Sequence, residues 1–232
     1  MKKKNKKGTP LWKALLFEHR LPWRYNQLLR KINIKLLKLF GGDDISYVYN
    51  EEFAKYRSKK CAKDFCELLL KEFNPHSVID FGCGTGDMIA PFEKKGIRIL
   101  GVDGSKANKK YSRISDNNFQ LYDLRKKYYC KEKYDLCLCL EVAEHIEEKY
   151  SDILVDTLVS SSSTIFFTAA PPGQGGIDHC NEKPPNWWIK KFRNVGFELD
   201  KQCTNRLKKE MRKILGITKH YINNLLIFKE KL

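Results

Sequence analysis

From residue 75 onward, hydrophobic positions form short runs separated by segments in which apolar residues recur at helical spacing. The runs are "SVIDF" (77–81), "IRILGV" (97–102), "NFQLY" (118–122), "YDLCLCL" (134–140) and "STIFFTA" (163–169). Helix-like stretches lie near 87–95, 105–113, 143–160 and 184–194. Strand-length runs alternating with helix-length segments predict βαβ units and a parallel sheet covered on both faces. Two further runs, "FELDKQC" (197–203) and "YINNLLIF" (221–228), read as edge strands of that sheet. The predicted fold is α/β: a Rossmann-like, doubly wound, mostly parallel seven-stranded sheet with helices on both faces, preceded by an N-terminal helical extension.

The N-terminal part follows a different pattern. Residues 1–10 hold five lysines and one apolar residue, Met1, with Gly8 and Pro10 against helix, and read as a disordered basic tail. Leu28, Leu29, Ile32, Leu36, Leu37 and Phe40 repeat at helical spacing with Arg30, Lys31, Lys35 and Lys38 between them, until Gly41-Gly42 stops the run. This amphipathic helix either docks on the protein's own core or meets anionic lipid or nucleic-acid phosphate. Residues 43–73 look helical and end before Pro75. The division expected is a tail at 1–10, a helical extension or cap at 11–74 and one α/β domain at 75–232.

Charge sharpens this division. The formal net charge is +16, but residues 1–40 carry twelve Lys and Arg against one Glu, and residues 201–232 carry nine against two acids. The body between is nearly neutral, so RNA or an anionic membrane surface would be met through the basic ends. Eight cysteines show no CxxC pair, which suits free thiols in a reducing compartment. No run approaches the roughly 18 apolar residues of a membrane span. The expectation is a cytoplasmic protein, with peripheral association at the inner face of a membrane as the alternative.

The first predicted strand runs into "VIDFGCGTGDM". Gly82, Gly84 and Gly86 let the backbone turn sharply and approach a ligand at the carboxyl edge of the sheet. A dinucleotide fingerprint would need glycine at position 87, which is Asp; with Asp80 in front, the spacing suits a positively charged nucleoside. Asp103, ending the second strand, is placed to accept ribose hydroxyls. Asp123, after the third, is placed to accept an adenine amine, with Leu124 beside the ring.

Each feature alone has a structural reading as turn or helix cap. In this order, over about residues 75–228, the pattern resembles the class I S-adenosylmethionine-dependent methyltransferases. The resemblance implies that donor as cofactor, with Asp80, Gly82, Gly84 and Gly86 at its methionine end, Asp103 at the ribose, and Asp123 and Leu124 at the adenine. The segments "EVAEHIEEKYSDILVD", "TAAPPGQGGIDHCNE" and "NWWIKKFRNVGF" are similar to a bacterial subgroup with members encoded near surface-glycan genes.

"LEVAEHIEE" (140–148) sets four glutamates and a histidine after the fourth strand. If a helix begins there, Glu141, Glu144 and His145 share a face turned to the cleft. Two carboxylates and an imidazole suit Mg²⁺, Mn²⁺ or another divalent ion. The E-x-x-E-H spacing resembles metal-dependent O-methyltransferases acting on catechol-type quinone precursors and on the terminal ribose of small RNAs. That resemblance adds His179, in the loop after the fifth strand, as a fourth ligand. Without a metal, His179 is the candidate general base, with Asp178 orienting its ring, beside Glu141 and His145. A purely structural helix start is the remaining alternative.

The expected function is O-methylation of a hydroxyl on a small molecule, sugar, glycan or glycolipid precursor, assisted by Mg²⁺ or Mn²⁺. The alternatives are ribose 2′-O-methylation of RNA and a non-catalytic module binding the nucleoside, nucleic acid or a membrane.

Overall fold

A computed structural model describes residues 60–176 and 178–231. All described residues belong to one compact unit. The basic tail, the amphipathic helix at 28–40 and residues 43–59 lie outside the described residues.

Helix α1 (Lys60–Phe73) leads into β1 (Ser77–Phe81), α2 (Ala90–Glu93), β2 (Arg98–Asp103), α3 (Lys106–Lys110), β3 (Phe119–Leu121) and β4 (Leu136–Leu140). Two 3₁₀ turns, Ala143–His145 and Glu148–Tyr150, precede α4 (Ser151–Ser161). The chain continues through β5 (Thr164–Thr168), α5 (Pro185–Asn194), β6 (Phe197–Leu199), α6 (Lys201–Met211), α7 (Lys219–Asn223) and β7 (Leu226–Glu230).

The seven strands run β3-β2-β1-β4-β5-β7-β6. Neighbours from β3 to β5 are parallel, whereas β7 is antiparallel to both β5 and β6. Strand order reverses between β1 and β4, and open α/β sheets bind ligands in the crevice above that point.

β1 and β4 are buried at every position. That explains the unbroken apolar sequence of β4 and the apolar Val78, Ile79 and Phe81 of β1: with helices on both sheet faces, no alternation is needed. The faces separate at Phe166 and Phe167, which point to opposite sides. Phe166 meets Phe65 of α1 edge-on at 5.4 Å, in a core with Leu69, Phe92, Leu207 and Ile227. Phe167 meets Trp188 at 5.1 Å and Phe192 at 5.4 Å on the other face. Each such aromatic contributes roughly 1.5–3 kcal/mol by burial. Because Phe65, Cys66 and Leu69 are core residues, α1 is built into this domain rather than preceding it.

Three segments differ from expectation. Residues 201–203 belong to α6, not to a strand: Asp200 accepts a hydrogen bond from the Cys203 N–H at 2.9 Å and caps the helix, whose Cys203, Leu207 and Met211 face inward. The final strand begins at Leu226 and lies inside the sheet, since residues 219–223 form α7 and β6 takes the edge.

The third is the helix expected over 143–160, which starts only at Ser151. The Glu144 carbonyl, which a continuing helix would bond to residue 148, instead accepts the Cys180 and Asn181 N–H groups at 2.8 and 3.0 Å. Among the described residues no helix is long and apolar enough to cross a membrane. All eight cysteines are free thiols, six of them buried.

Candidate functional site

The crevice above β1 and β4 opens into a 410 Å³ cavity. Its walls include Asp80 and Gly82 from the end of β1, Asp87 and Met88 beyond the glycine loop, and Glu141, Glu144 and His145 after β4. Gln174, Gly176 and His179 enter from the loop after β5, and Thr218, His220 and Tyr221 from the start of α7.

Gly82 sits at φ +75°, and a Cβ there would lie 2.3 Å from Cγ2 of Val142. The glycine loop and the acidic turn therefore interlock, and only a residue without a side chain permits the contact. Asp87 accepts the Thr85 hydroxyl at 2.6 Å and lies 3.8 Å from the Arg113 guanidinium, which fixes it on the cavity wall.

The acidic turn carries the least compensated charge. Glu144 is fully buried, and neither of its carboxylate oxygens has a hydrogen-bond partner. Burial pushes its carboxyl up to about 8, with the neighbouring Glu141 charge adding to the rise. The Glu144 and Ala170 amides pull the other way without reaching hydrogen-bonding geometry.

One ligand atom each from Glu144, His145 and His179 lies within 4.8 Å of the others, and the two imidazoles meet edge-on at 5.0 Å. An unpartnered buried carboxylate costs several kcal/mol unless a proton or a cation neutralises it. The donor set therefore fits a divalent metal ion: one carboxylate and two imidazoles, converging from two loops that the Glu144 carbonyl ties together.

Glu141 lies beside this group rather than in it. Its backbone is left-handed at φ +54°. Its oxygens accept Asn224 Nδ2 at 3.0 and 3.1 Å and Gln174 Nε2 at 2.8 Å, while Asn224 also donates to Gln174 at 2.8 Å. The shared helical face expected for Glu141, Glu144 and His145 does not form, because a 3₁₀ turn holds only the latter two.

The orienting partner of His179 is likewise corrected: its Nδ1 is bonded to Glu182 at 2.8 Å, not to Asp178.

The donor-side residues divide as well. Asp80 and Gly82 line the cavity, whereas Asp103, Asp123 and Leu124 stand apart from it. Asp103 holds the Gly84 N–H at 2.9 Å, the Ser105 N–H at 2.8 Å and Asn108 Nδ2 at 3.1 Å, pinning the glycine loop to the end of β2. Asp123 is clamped by Arg125, whose guanidinium holds its carboxyl below the usual range. Leu124 is buried in the core near Tyr128. Gly84 and Gly86 keep the loop's left-handed turns at φ +59° and +79°.

Residues 53–162 match the family described as "Methyltransferase domain". The structure resembles the magnesium protoporphyrin IX methyltransferase of Synechocystis PCC 6803 with bound SAH, at TM-score 0.53 and 18% identity over 75% of this chain and 83% of that one.

The fold is that of the class I S-adenosylmethionine-dependent methyltransferases, and the methyltransferase-domain match covers just under half of the chain.

Two curated relatives are each named "Ubiquinone biosynthesis O-methyltransferase". That of Rhodopseudomonas palustris (strain BisB18) is 33% identical over 31% of this chain and 30% of its own length. That of Bradyrhizobium sp. (strain ORS 278) is 24% identical over 66% of this chain and 59% of its own. The chain thus spans less than two thirds of the length of these curated relatives.

Sequence reasoning missed Gln174, Glu182, His220 and Asn224. Glu182 belongs to the quoted "DHCNE" run, so its proximity to His179 was the one local signal. Asn224 is 83 residues from Glu141 and left none.

Proposed function

We propose that the protein transfers a methyl group from S-adenosylmethionine to an oxygen of a hydroxyl-bearing sugar, glycan or glycolipid precursor, with a divalent ion held by Glu144, His145 and His179. The observation that carries this reading is the buried Glu144 carboxylate with no hydrogen-bond partner beside two imidazoles. The imidazoles favour Mn²⁺ over Mg²⁺, which prefers oxygen ligands. The names of these relatives, O-methyltransferases, support an oxygen acceptor.

S-adenosylmethionine supplies an electrophilic methyl on a sulfonium, and the glycine loop with Asp80 lines the cavity that would take its charged end. The ion would lower the pKa of the acceptor hydroxyl and fix its oxygen. The chain's own residues supply orientation. Gln174 and Asn224 hold the Glu141 carboxylate at the cavity wall, which polar Thr218 and His220 also line. A metal-free variant of the reading rests on the Glu182–His179 bond, which leaves His179 Nε2 as the atom to take the acceptor's proton.

The test is a methyl-transfer assay across nucleotide sugars, glycans and RNA, with Mn²⁺, Mg²⁺ or EDTA, on the parent, Glu144→Gln and His179→Ala. Turnover on a sugar hydroxyl that EDTA and either substitution abolish, and that Mn²⁺ restores in the parent, is the expected result. Turnover in EDTA that survives Glu144→Gln but not His179→Ala selects the general-base variant. Activity on RNA alone replaces the acceptor, and calorimetry with no S-adenosylmethionine binding overturns the whole reading.

A further inference from the structure

We propose that Glu182 is a positioning residue that locks the loop after β5 into a closed ring and sets the tautomer of His179; the consequence for metal binding rests on the function proposed above.

The loop "PPGQGGIDHCNE" has too many glycines to hold one shape by itself, because each glycine carries an extra entropic cost of ordering. Glu182 supplies the missing constraint. Its Oε2 accepts the Gly173 N–H at 2.8 Å, its Oε1 accepts the Gly175 N–H at 2.7 Å, and the same Oε1 lies 2.8 Å from His179 Nδ1. One carboxylate thus ties Gly173, Gly175 and His179 together. The far end is anchored separately, where Asn181 donates to the Ala143 carbonyl at 3.3 Å and to the Ser151 hydroxyl at 3.1 Å.

The chemical consequence concerns one proton. A carboxylate accepts and cannot donate, so a neutral His179 must carry its hydrogen on Nδ1 and leave the Nε2 lone pair available. Gly176 makes room for that nitrogen, since a Cβ there would lie 2.2 Å from Nε2. Such outer carboxylates orient metal-binding histidines, and their loss typically weakens metal affinity about 10–100-fold.

The experiment is histidine-ring ¹⁵N NMR of the full chain in EDTA at about pH 8.5, where an ordinary imidazole is neutral, paired with calorimetric titration of Mn²⁺. The spectrum of His179→Asn identifies the resonance. The parent is expected to show His179 protonated on Nδ1. Glu182→Ala is expected to lose that preference and to bind Mn²⁺ about 10–100-fold more weakly. Glu182→Gln, which keeps one acceptor oxygen, retains the tautomer while the Gly173 amide exchanges faster with solvent.

An unchanged His179 tautomer in Glu182→Ala overturns the proposal. Should that variant not fold, unchanged Gly173 exchange in Glu182→Gln does the same. A parent that binds no Mn²⁺ but whose tautomer depends on Glu182 sinks the metal reading and leaves the positioning role standing.

Discussion

Replacing Gly82 by Ala tests whether the glycine loop and the acidic turn are mechanically coupled. The new Cβ would meet Cγ2 and Cγ1 of Val142 at 2.3 and 2.9 Å, over a backbone at φ +75°. Ordinary carbon contacts lie at about 3.5–4.0 Å, so Val142 must move by more than about 1 Å or the loop must open. The left-handed backbone costs an alanine roughly 1–2 kcal/mol, and the overlap adds about 1–3 kcal/mol. Gly82→Ala should therefore destabilise by about 2–5 kcal/mol.

Val142→Ala removes both clashing methyls. It should cost about 1 kcal/mol alone, because Val142 is only half-buried. The double variant should be more stable than the sum of the single losses by about 1–3 kcal/mol, with the backbone cost remaining. Urea denaturation of the four proteins at a shared slope measures the cycle. Losses that add within about 0.5 kcal/mol would show that the two segments do not press on each other. The coupling also bears on function: Val142 adjoins Glu141 and the turn carrying Glu144 and His145, so Gly82→Ala should reduce turnover more than donor binding.

Two further outcomes are expected. Gly176→Ala pushes His179 Nε2 away from a Cβ that would sit at 2.2 Å; turnover should fall by about 100-fold while circular dichroism stays that of the parent, and full activity would refute the placement of His179. Glu72 in α1 is held below the ordinary carboxylate value of 4.5 chiefly by its hydrogen bond from Arg206 of α6. A depressed folded pKa stabilises above that ordinary value and is lost as pH falls through the lower folded one. Thermal denaturation should therefore show a steeper acid-side loss below about pH 4.5 in the parent than in Glu72→Gln, and parallel curves would contradict it.

The alternation of strands and helices was legible because it is written locally. A strand covered on both faces needs a largely apolar run, and β4 is such a run at Leu136–Leu140, within the expected 134–140. The helix at 185–194 was equally plain, with Trp188 and Phe192 on its inner face. Where local signals conflicted, pattern reading failed. "FELDKQC" carries enough apolar residues for a strand, yet Asp200 three positions before Cys203 is a helix cap, and its weight depended on α6 having a core to pack against.

The site divides in the same way. Sequence by itself determined the glycine loop, the acids at strand ends and the nearness of Glu144 to His145, since these follow from spacing along the chain. Tertiary structure alone decided which groups are satisfied. Asn224 and Gln174 reach Glu141 from 83 and 33 residues away and leave Glu144 without a partner. Two amides of the loop after β5 take the Glu144 carbonyl and stop the helix that periodicity predicts. Hydrogen bonds of this kind are chosen by what the folded backbone brings within about 3 Å, and no pattern of hydrophobic and polar positions encodes that choice.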